Sequence, residues 1–268
     1  MTKVIAEIGW NHMGNIDLAE HMIQAAAYAG ADFVKFQTFS VNRLAPGPWD
    51  KDGRRDLYKK AELNEEEHIH LKSICDWLGV KFMSTAFCIE DAKTILKATD
   101  EYVKIPSQES RNRKLLSFCN DYFDNIIMST GTSNLKEIYN STTCVRRAKL
   151  TLLHCVSTYP CPPEKANLPR ILYLKEFCDR VGYSDHVEGV NAAKVSLEYG
   201  VDYIEKHFTT DKKLPGRDNK FAILPEELKS LVFYIKERKL MRQSRGSDFQ
   251  ECEKESREIY TGRWSHET

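Results

Sequence analysis

The sequence predicts an α/β protein folded as a single closed (β/α)8 TIM barrel, and three observations carry that prediction. Eight runs with strand character alternate with eight helical patterns along the 268 residues. Strict alternation demands parallel strands joined by right-handed crossovers, and eight units within about 240 residues fit a closed barrel better than an open sheet. No glycine-rich dinucleotide fingerprint follows the first run, which argues further against a doubly wound sheet.

The strand runs are, in order, "KVIAEIGW", "ADFVKFQTF", "VKFMSTAF", "EYVKIPS", "NIIMSTG", "LTLLHCVS", "RVGYSDH" and "YIEKHFT". Each is rich in β-branched or aromatic residues and is followed by a polar loop. Apolar periodicity then predicts helices over 17–29, 64–78, 90–98, 112–119, 133–145, 168–177, 189–199 and 225–239. Asp17, Asn64 with Glu67 three residues on, and Ser133 with Glu137 in the first turn read as helix starts. Beyond about residue 240 the chain turns highly charged, "KERKLMRQSRGSDFQECEKESREIY". The expected organisation is a barrel over 1–240 and a charged tail or arm over 241–268.

Thirty-nine basic and thirty-nine acidic side chains cancel, so no global field recruits nucleic acid or an anionic membrane, and an anionic ligand needs a local site. The chain begins "MTKVIAEIG" without a secretory leader, and no apolar run approaches the span of a bilayer, so a cytoplasmic protein is expected. Eight cysteines without a tight Cys-x-x-Cys pair are expected to be reduced thiols; Cys155 and Cys161 flank a strand end and could be ligands, with small apolar packing residues as the favoured reading.

Chemistry in this fold sits at the carboxyl ends of the strands. The first delivers Glu7, Asn11 and His12; the second Lys35 and Gln37, two apart and so on one face. The third offers Ser84 and Thr85, the fourth Lys104, Ser107 and Glu109, the fifth Ser129, Thr130 and Gly131. The sixth supplies His154, Ser157 and Tyr159, the seventh Ser184, Asp185 and His186, the eighth Lys206 and His207. Polar residues at every strand end, above apolar strand bodies, are expected to line one pocket.

Two groupings emerge. Lys35, Lys104 and the hydroxyls of Thr85, Ser107, Ser129 and Ser184, with the "STGTS" backbone, suit a phosphate or phosphate ester. His186 and His207 sit on neighbouring strands where two imidazoles could share a divalent ion, with Glu7, Glu109 and Asp185 as nearby oxygen ligands or bases. Other readings stay open here: Lys35, Lys104 or Lys206 as a Schiff-base lysine, or Glu7 and Glu109 as ion-pair partners of the lysines.

"IAEIGWNHMGN", "AGADFVKFQTF", "MSTAF", "VKIPSQE", "MSTGTS", "LLHCVSTYPCPPEKANL", "GYSDH" and "EKHFT" together resemble the sialic acid synthase (N-acetylneuraminate synthase) family, in order and across essentially the whole barrel. The resemblance implies condensation of phosphoenolpyruvate with an open-chain N-acylated amino sugar, giving a nonulosonic acid and phosphate, with manganese or magnesium as cofactor. It implies His186 and His207 as metal ligands and Lys35, Thr85, Lys104, Ser107, Ser129 and Ser184 as the phosphoenolpyruvate cradle. Glu7, Gln37, Glu109, Tyr159 and Asp218 would face the sugar, and Glu109 would handle a water's proton.

Three features depart from the family pattern. "GRDN" at 216–219 keeps Asp218 but changes its neighbours, Ser157 replaces an asparagine common in the neuraminate-making branch, and Pro106 and Gln108 differ from the usual small residues. Family members commonly continue into a small antifreeze-protein-like domain swapped across a dimer, whereas this sequence stops at "IYTGRWSHET". Turnover without a lid, a lid on a separate chain, a homodimer, and a barrel that binds phosphoenolpyruvate or a sugar acid without turnover are all compatible with that. So is a related synthase with another acceptor.

Overall fold

The computed structural model describes residues 1–264. Eight parallel strands close into a barrel in chain order: β1 (Lys3–Gly9), β2 (Phe33–Thr38), β3 (Lys81–Ala86), β4 (Tyr102–Ile105), β5 (Asn125–Ser129), β6 (Lys149–His154), β7 (Val181–Asp185) and β8 (Tyr203–His207). Every predicted strand is present. The helices are α1 (Ile16–Ala29), α2 (Arg54–Ala61), α3 (Glu65–Trp77), α4 (Ile89–Leu96), α5 (Arg113–Tyr122), α6 (Leu135–Thr142), α7 (Arg170–Leu174), α8 (Asn191–Ser196), α9 (Pro225–Met241) and α10 (Lys254–Tyr260). Helices α2 and α10 have no counterpart among the helices expected from periodicity.

Capping chemistry sets the helix starts, and it corrects two of the expected ones. The Asn64 side chain accepts from Glu67 N while Glu67 accepts from Asn64 N, the reciprocal box expected from the sequence. Asn15 rather than Asp17 caps α1 by accepting from Leu18 N, and Asn134 rather than Ser133 caps α6 in a box with Glu137. In both cases an amide oxygen reaches the free N–H three residues on, a contact worth about 1 kcal/mol.

Alternation along the strands divides the core into two layers. Inside the barrel, Ile5, Phe33, Met83, Ile127, Leu153 and Tyr203 plug the lower half, with Phe33 edge-on to Tyr102 at 4.9 Å between ring centroids. Outside it, residues such as Val34, Phe36, Ile105, Met128 and Ile204 pack beneath the helices. Because the plug fills the bottom, only the top of the barrel remains for a ligand.

The chain divides into two compact units, residues 1–235 and the segment from 236 onward. The first contains the whole barrel. In the second, α10 is short and exposed, and the Arg257 guanidinium lies 4.6 Å from the Phe249 ring centroid. No helix among the described residues is long and apolar enough to cross a membrane. All eight cysteines are free thiols.

Candidate active site

A cavity of about 1040 Å³ opens at the carboxyl ends of the strands. Its floor is a ring of inward-facing polar side chains directly above the apolar plug. Lys35 lies between two carboxylates, 2.9 Å from Glu7 Oε1 and 3.4 Å from Glu205 Oε2, and donates to Thr85 Oγ1 at 3.0 Å. Lys104 donates to Ser129 Oγ at 2.7 Å and lies 3.8 Å from Glu205 Oε1. Ser184, the register partner of Glu205, donates to it at 2.7 Å. Gln37 donates to Glu7 Oε1 at 2.8 Å.

These contacts decide the charge of the floor. Burial alone would lower Lys35, but Glu205 and Glu7 outweigh it and hold the ammonium above its ordinary value. Burial lowers Lys104, with Glu205 opposing. Burial also works against Glu205, yet Lys104 and Lys35 win and hold that carboxyl well below its ordinary range. Glu7 goes the other way: burial raises it to about 7, with Lys35 opposing and Glu205 adding to the rise. Lys35 is thus held as an ammonium and Glu205 as a carboxylate, and these lie among the Lys104 amine and the hydroxyls of Thr85, Ser129 and Ser184, a donor-rich floor suited to an anion.

On the β4 to β6 side the backbone joins in. Gly131 N donates to Ser107 Oγ at 3.2 Å, and Ser107 Oγ lies 2.9 Å from Cys155 Sγ. A Cβ on Gly131 would come within 2.4 Å of Ser157 Oγ and 2.7 Å of Cys155 Sγ. Glycine is thus the residue that lets the "STG" turn approach these hydroxyls.

Above the floor, His186 and His207 lie 5.7 Å apart between ring centroids. His186 Nδ1 hydrogen-bonds Val156 O at 2.8 Å. The carbonyl can only accept, so Nδ1 carries the proton and Nε2 keeps its lone pair. Burial holds His186 down to about 4 and His207 well below its ordinary value, with the neighbouring imidazole adding to the second shift. His207 Nδ1 is buried without a hydrogen-bond partner, its nearest carboxylate oxygen being Asp218 Oδ2 at 3.8 Å. Two neutral imidazoles with uncommitted nitrogens are a donor set suited to a borderline divalent ion. Among the described residues no group of three or more His, Cys, Asp or Glu side chains is arranged to hold a metal, so the pair would leave most coordination positions to oxygens from elsewhere.

The rim carries the remaining expected residues. Tyr159 packs 4.1 Å from the His186 ring and 5.9 Å from that of His207. Asp218 accepts from Trp10 Nε1 at 2.9 Å, and burial raises its carboxyl to about 6 against the pull of Trp10 and Arg217. Glu109 lines the cavity and accepts from Asn112 Nδ2 at 2.9 Å. Ser157 also lines it.

Asp185 does not, and its expected catalytic role needs correcting. Ser184 and His186 face inward, so Asp185 between them faces outward, where it pairs with Lys206 Nζ at 3.1 Å and accepts from Val187 N. Lys206 is its register partner on β8 and is turned away from the cavity for the same reason, which also removes it as a Schiff-base candidate. Period two likewise takes Ser84 to a buried network with Thr38 and His68, and His154 to Ala166 O. Asn11, His12 and Thr130 brace the top of the barrel rather than the cavity; Asn11, for example, donates to Phe208 O.

Conversely, Glu205 is absent from the residues expected at the strand ends. It lies two residues before His207, and the same alternation that places the histidine inside places the carboxylate inside. Trp10, Arg43, Cys155 and Arg217 also line the cavity. Trp10 and Cys155 stand next to motif residues, whereas Arg43 and Arg217 lie in loops whose path no local pattern indicates.

Comparison with known proteins gives a consistent result. The NeuB family model matches residues 22–247. The N,N'-diacetyllegionaminic acid synthase of Legionella pneumophila is 36% identical over 253 residues, covering 87% of this chain and 71% of that protein. A pseudaminic acid synthase of Campylobacter jejuni is 31% identical over 249 residues, with 87% and 73% covered. The crystal structure of an N-acetylneuraminic acid (sialic acid) synthetase from Leptospira borgpetersenii superposes with a TM-score of 0.85 at 30% identity, covering 100% of this chain and 93% of that one.

Proposed function

The chain belongs to the NeuB family, and from that premise we propose that it condenses phosphoenolpyruvate with an open-chain N-acyl amino sugar to give a nonulosonic acid and phosphate. The observation that carries the reading is the stacking, in one cavity, of a lysine- and hydroxyl-lined floor beneath two neutral imidazoles. The floor suits the phosphate and carboxylate of phosphoenolpyruvate: Lys35, Lys104, Thr85, Ser107, Ser129 and Ser184 supply charge-assisted or hydroxyl contacts. The sugar then lies towards Gln37, Glu109, Ser157, Tyr159 and Asp218.

His186 and His207 would hold a divalent ion, manganese or magnesium. Bound there, such an ion supplies Lewis acidity towards the aldehyde oxygen. The protein's own contribution is placement and proton handling. With both substrates oriented, the methylene carbon of phosphoenolpyruvate bonds to the aldehyde carbon, whose oxygen gains a proton. The adjacent carbon becomes cationic and takes up water, with Glu109 accepting the water's proton and Glu7 close enough to the floor to offset the charge. The tetrahedral centre then breaks its bond to the phosphate oxygen as its hydroxyl becomes the keto oxygen and gives its proton to the departing phosphate, whose charge Lys35 and Lys104 meet.

The test is phosphate release by metal-stripped protein resupplied with manganese, given phosphoenolpyruvate and a panel of N-acylated hexosamines. Release should require metal, phosphoenolpyruvate and a sugar together. His186→Ala and His207→Ala should abolish both release and tight manganese binding, read by electron paramagnetic resonance, with the circular dichroism spectrum unchanged. Release that survives metal stripping and both substitutions would overturn the metal assignment. Absence of release with every sugar would overturn the synthase reading.

A further inference from the structure

Behind the β5 to β6 side of the floor lies a cation that the reaction above does not use. Arg170 is the first residue of α7, a five-residue helix anchored by the buried side chains of Ile171 and Leu174. Its side chain is partly buried and does not line the cavity. Among the described residues, no carboxylate opposes the lowering that burial imposes on it. Its hydrogen bonds go to two main-chain carbonyls of the turn after β5: Nη1 donates to Thr130 O at 3.2 Å and Nη2 to Ser133 O at 2.5 Å. The two segments are 40 and 37 residues apart in the chain, so one guanidinium ties α7 to both ends of that turn.

The turn depends on this hold for the direction of its backbone. The bond between Thr130 and Gly131 is trans, and in a trans peptide the C=O and N–H point opposite ways. Drawing Thr130 O towards Arg170 therefore turns Gly131 N–H towards the barrel, where it donates to Ser107 Oγ at 3.2 Å. Ser107 Oγ thereby accepts, and its own hydrogen is directed to another acceptor. At the other end, Ser133 O faces Arg170 while Asn134 N, in the same peptide, donates to Glu137 Oε2 at 2.8 Å in the cap of α6. Between the two, Thr132 has a φ of +61°, in the left-handed region that side-chain-bearing residues seldom adopt. Thr130 Oγ1 donates to Leu153 O at 3.0 Å, and Ser133 Oγ lies 2.8 Å from Ser110 Oγ. Neither contact engages the Thr130 carbonyl. With that carbonyl released, the 130–131 peptide could rotate and present an oxygen, instead of an N–H, to Ser107.

We infer that Arg170 is a positioning residue for the anion cradle: by holding two carbonyls of the turn after β5, it fixes the Gly131 N–H and, through it, the Ser107 hydroxyl that phosphoenolpyruvate meets. The inference rests on the synthase reading and adds to it a residue outside the cavity. The role needs the shape of the guanidinium as well as its charge, because two N–H groups in one rigid plane reach two carbonyls at once, whereas an ammonium is a point charge on a flexible stem.

The experiment measures phosphoenolpyruvate binding by calorimetry, with manganese present, for the parent, Arg170→Met and Arg170→Lys. Initial rates with an N-acyl hexosamine that the parent turns over supply the two KM values. Arg170→Met should bind phosphoenolpyruvate about tenfold more weakly, the loss of one hydrogen bond to a charged group, and its KM for phosphoenolpyruvate should rise alike while KM for the sugar stays at the parent value. Arg170→Lys keeps the charge without the fork and should remain about threefold weaker than the parent. Should Arg170→Met not fold, Arg170→Lys gives the same readout. Parent-like affinity in either variant, or an equal rise in both KM values, overturns the inference and leaves the synthase reading standing. A parent protein that neither binds phosphoenolpyruvate nor releases phosphate removes the synthase reading and the cradle with it.

Discussion

Replacing Asp185 by asparagine separates a structural role from a catalytic one. Asp185 and Lys206 are register partners on β7 and β8, 3.1 Å apart, with side chains 0% and 2% exposed. At an effective dielectric of about 20 their attraction is about 5 kcal/mol. The introduced asparagine would keep an acceptor for Val187 N, and Lys206 would keep Val187 O at 2.5 Å, so part of this is retained. The expected loss of unfolding free energy is about 3 kcal/mol, the usual result of leaving one member of a buried pair charged and alone. Lys206→Met should cost a similar amount, and the double variant should recover about 2 kcal/mol, because no orphaned charge remains. Urea melts followed by circular dichroism on the four proteins give the cycle. An Asp185→Asn protein within about 0.5 kcal/mol of the parent would refute the reasoning. A folded, equally stable Asp185→Asn protein without turnover would return Asp185 to the reaction.

Gly131→Ala should fold but bind phosphoenolpyruvate at least about tenfold more weakly, read by calorimetry, because its methyl displaces the hydroxyls of Ser107 and Ser157. Lys104→Met should remove an ammonium from the floor and raise the phosphoenolpyruvate KM by about tenfold or more, the usual loss for a charge-assisted contact. His12 makes a pH prediction. Burial lowers it from 6.5 to about 4, with His68 adding to the shift, so the unfolded chain takes up its proton first as pH falls. Its stabilising effect is complete above pH 6.5 and is lost between pH 6.5 and about 4, a loss of about 3 kcal/mol. Urea midpoints measured across that window should fall less steeply for His12→Asn than for the parent, and parallel slopes would contradict the assignment.

Local sequence pattern is enough to set the barrel and most of the floor. Strand runs, their alternation with helices, and period two within a strand are local properties, and they suffice to put Lys35 and Gln37 on one face and the hydroxyls of Thr85, Ser129 and Ser184 at the strand ends. Glu205 was within reach of the same rule, counted back from His207. Asp185 was misassigned where the rule was set aside for proximity to a histidine: adjacent residues in a strand face opposite sides, and one residue separates the cavity from the helix layer. Which charges meet is set by the closing of the barrel. That Glu205 lies between two lysines that hold it down, that burial pushes Glu7 up with Glu205 adding to the rise, and that His207 keeps an unpartnered nitrogen all depend on strands far apart in the chain. The hold of Arg170 on the turn after β5 is of the same kind, because the two meet across the barrel rim rather than through a periodic pattern of their own. Short-range propensity fixes where a strand runs and which way a side chain points; the energy of a buried charge is set by its neighbours in space.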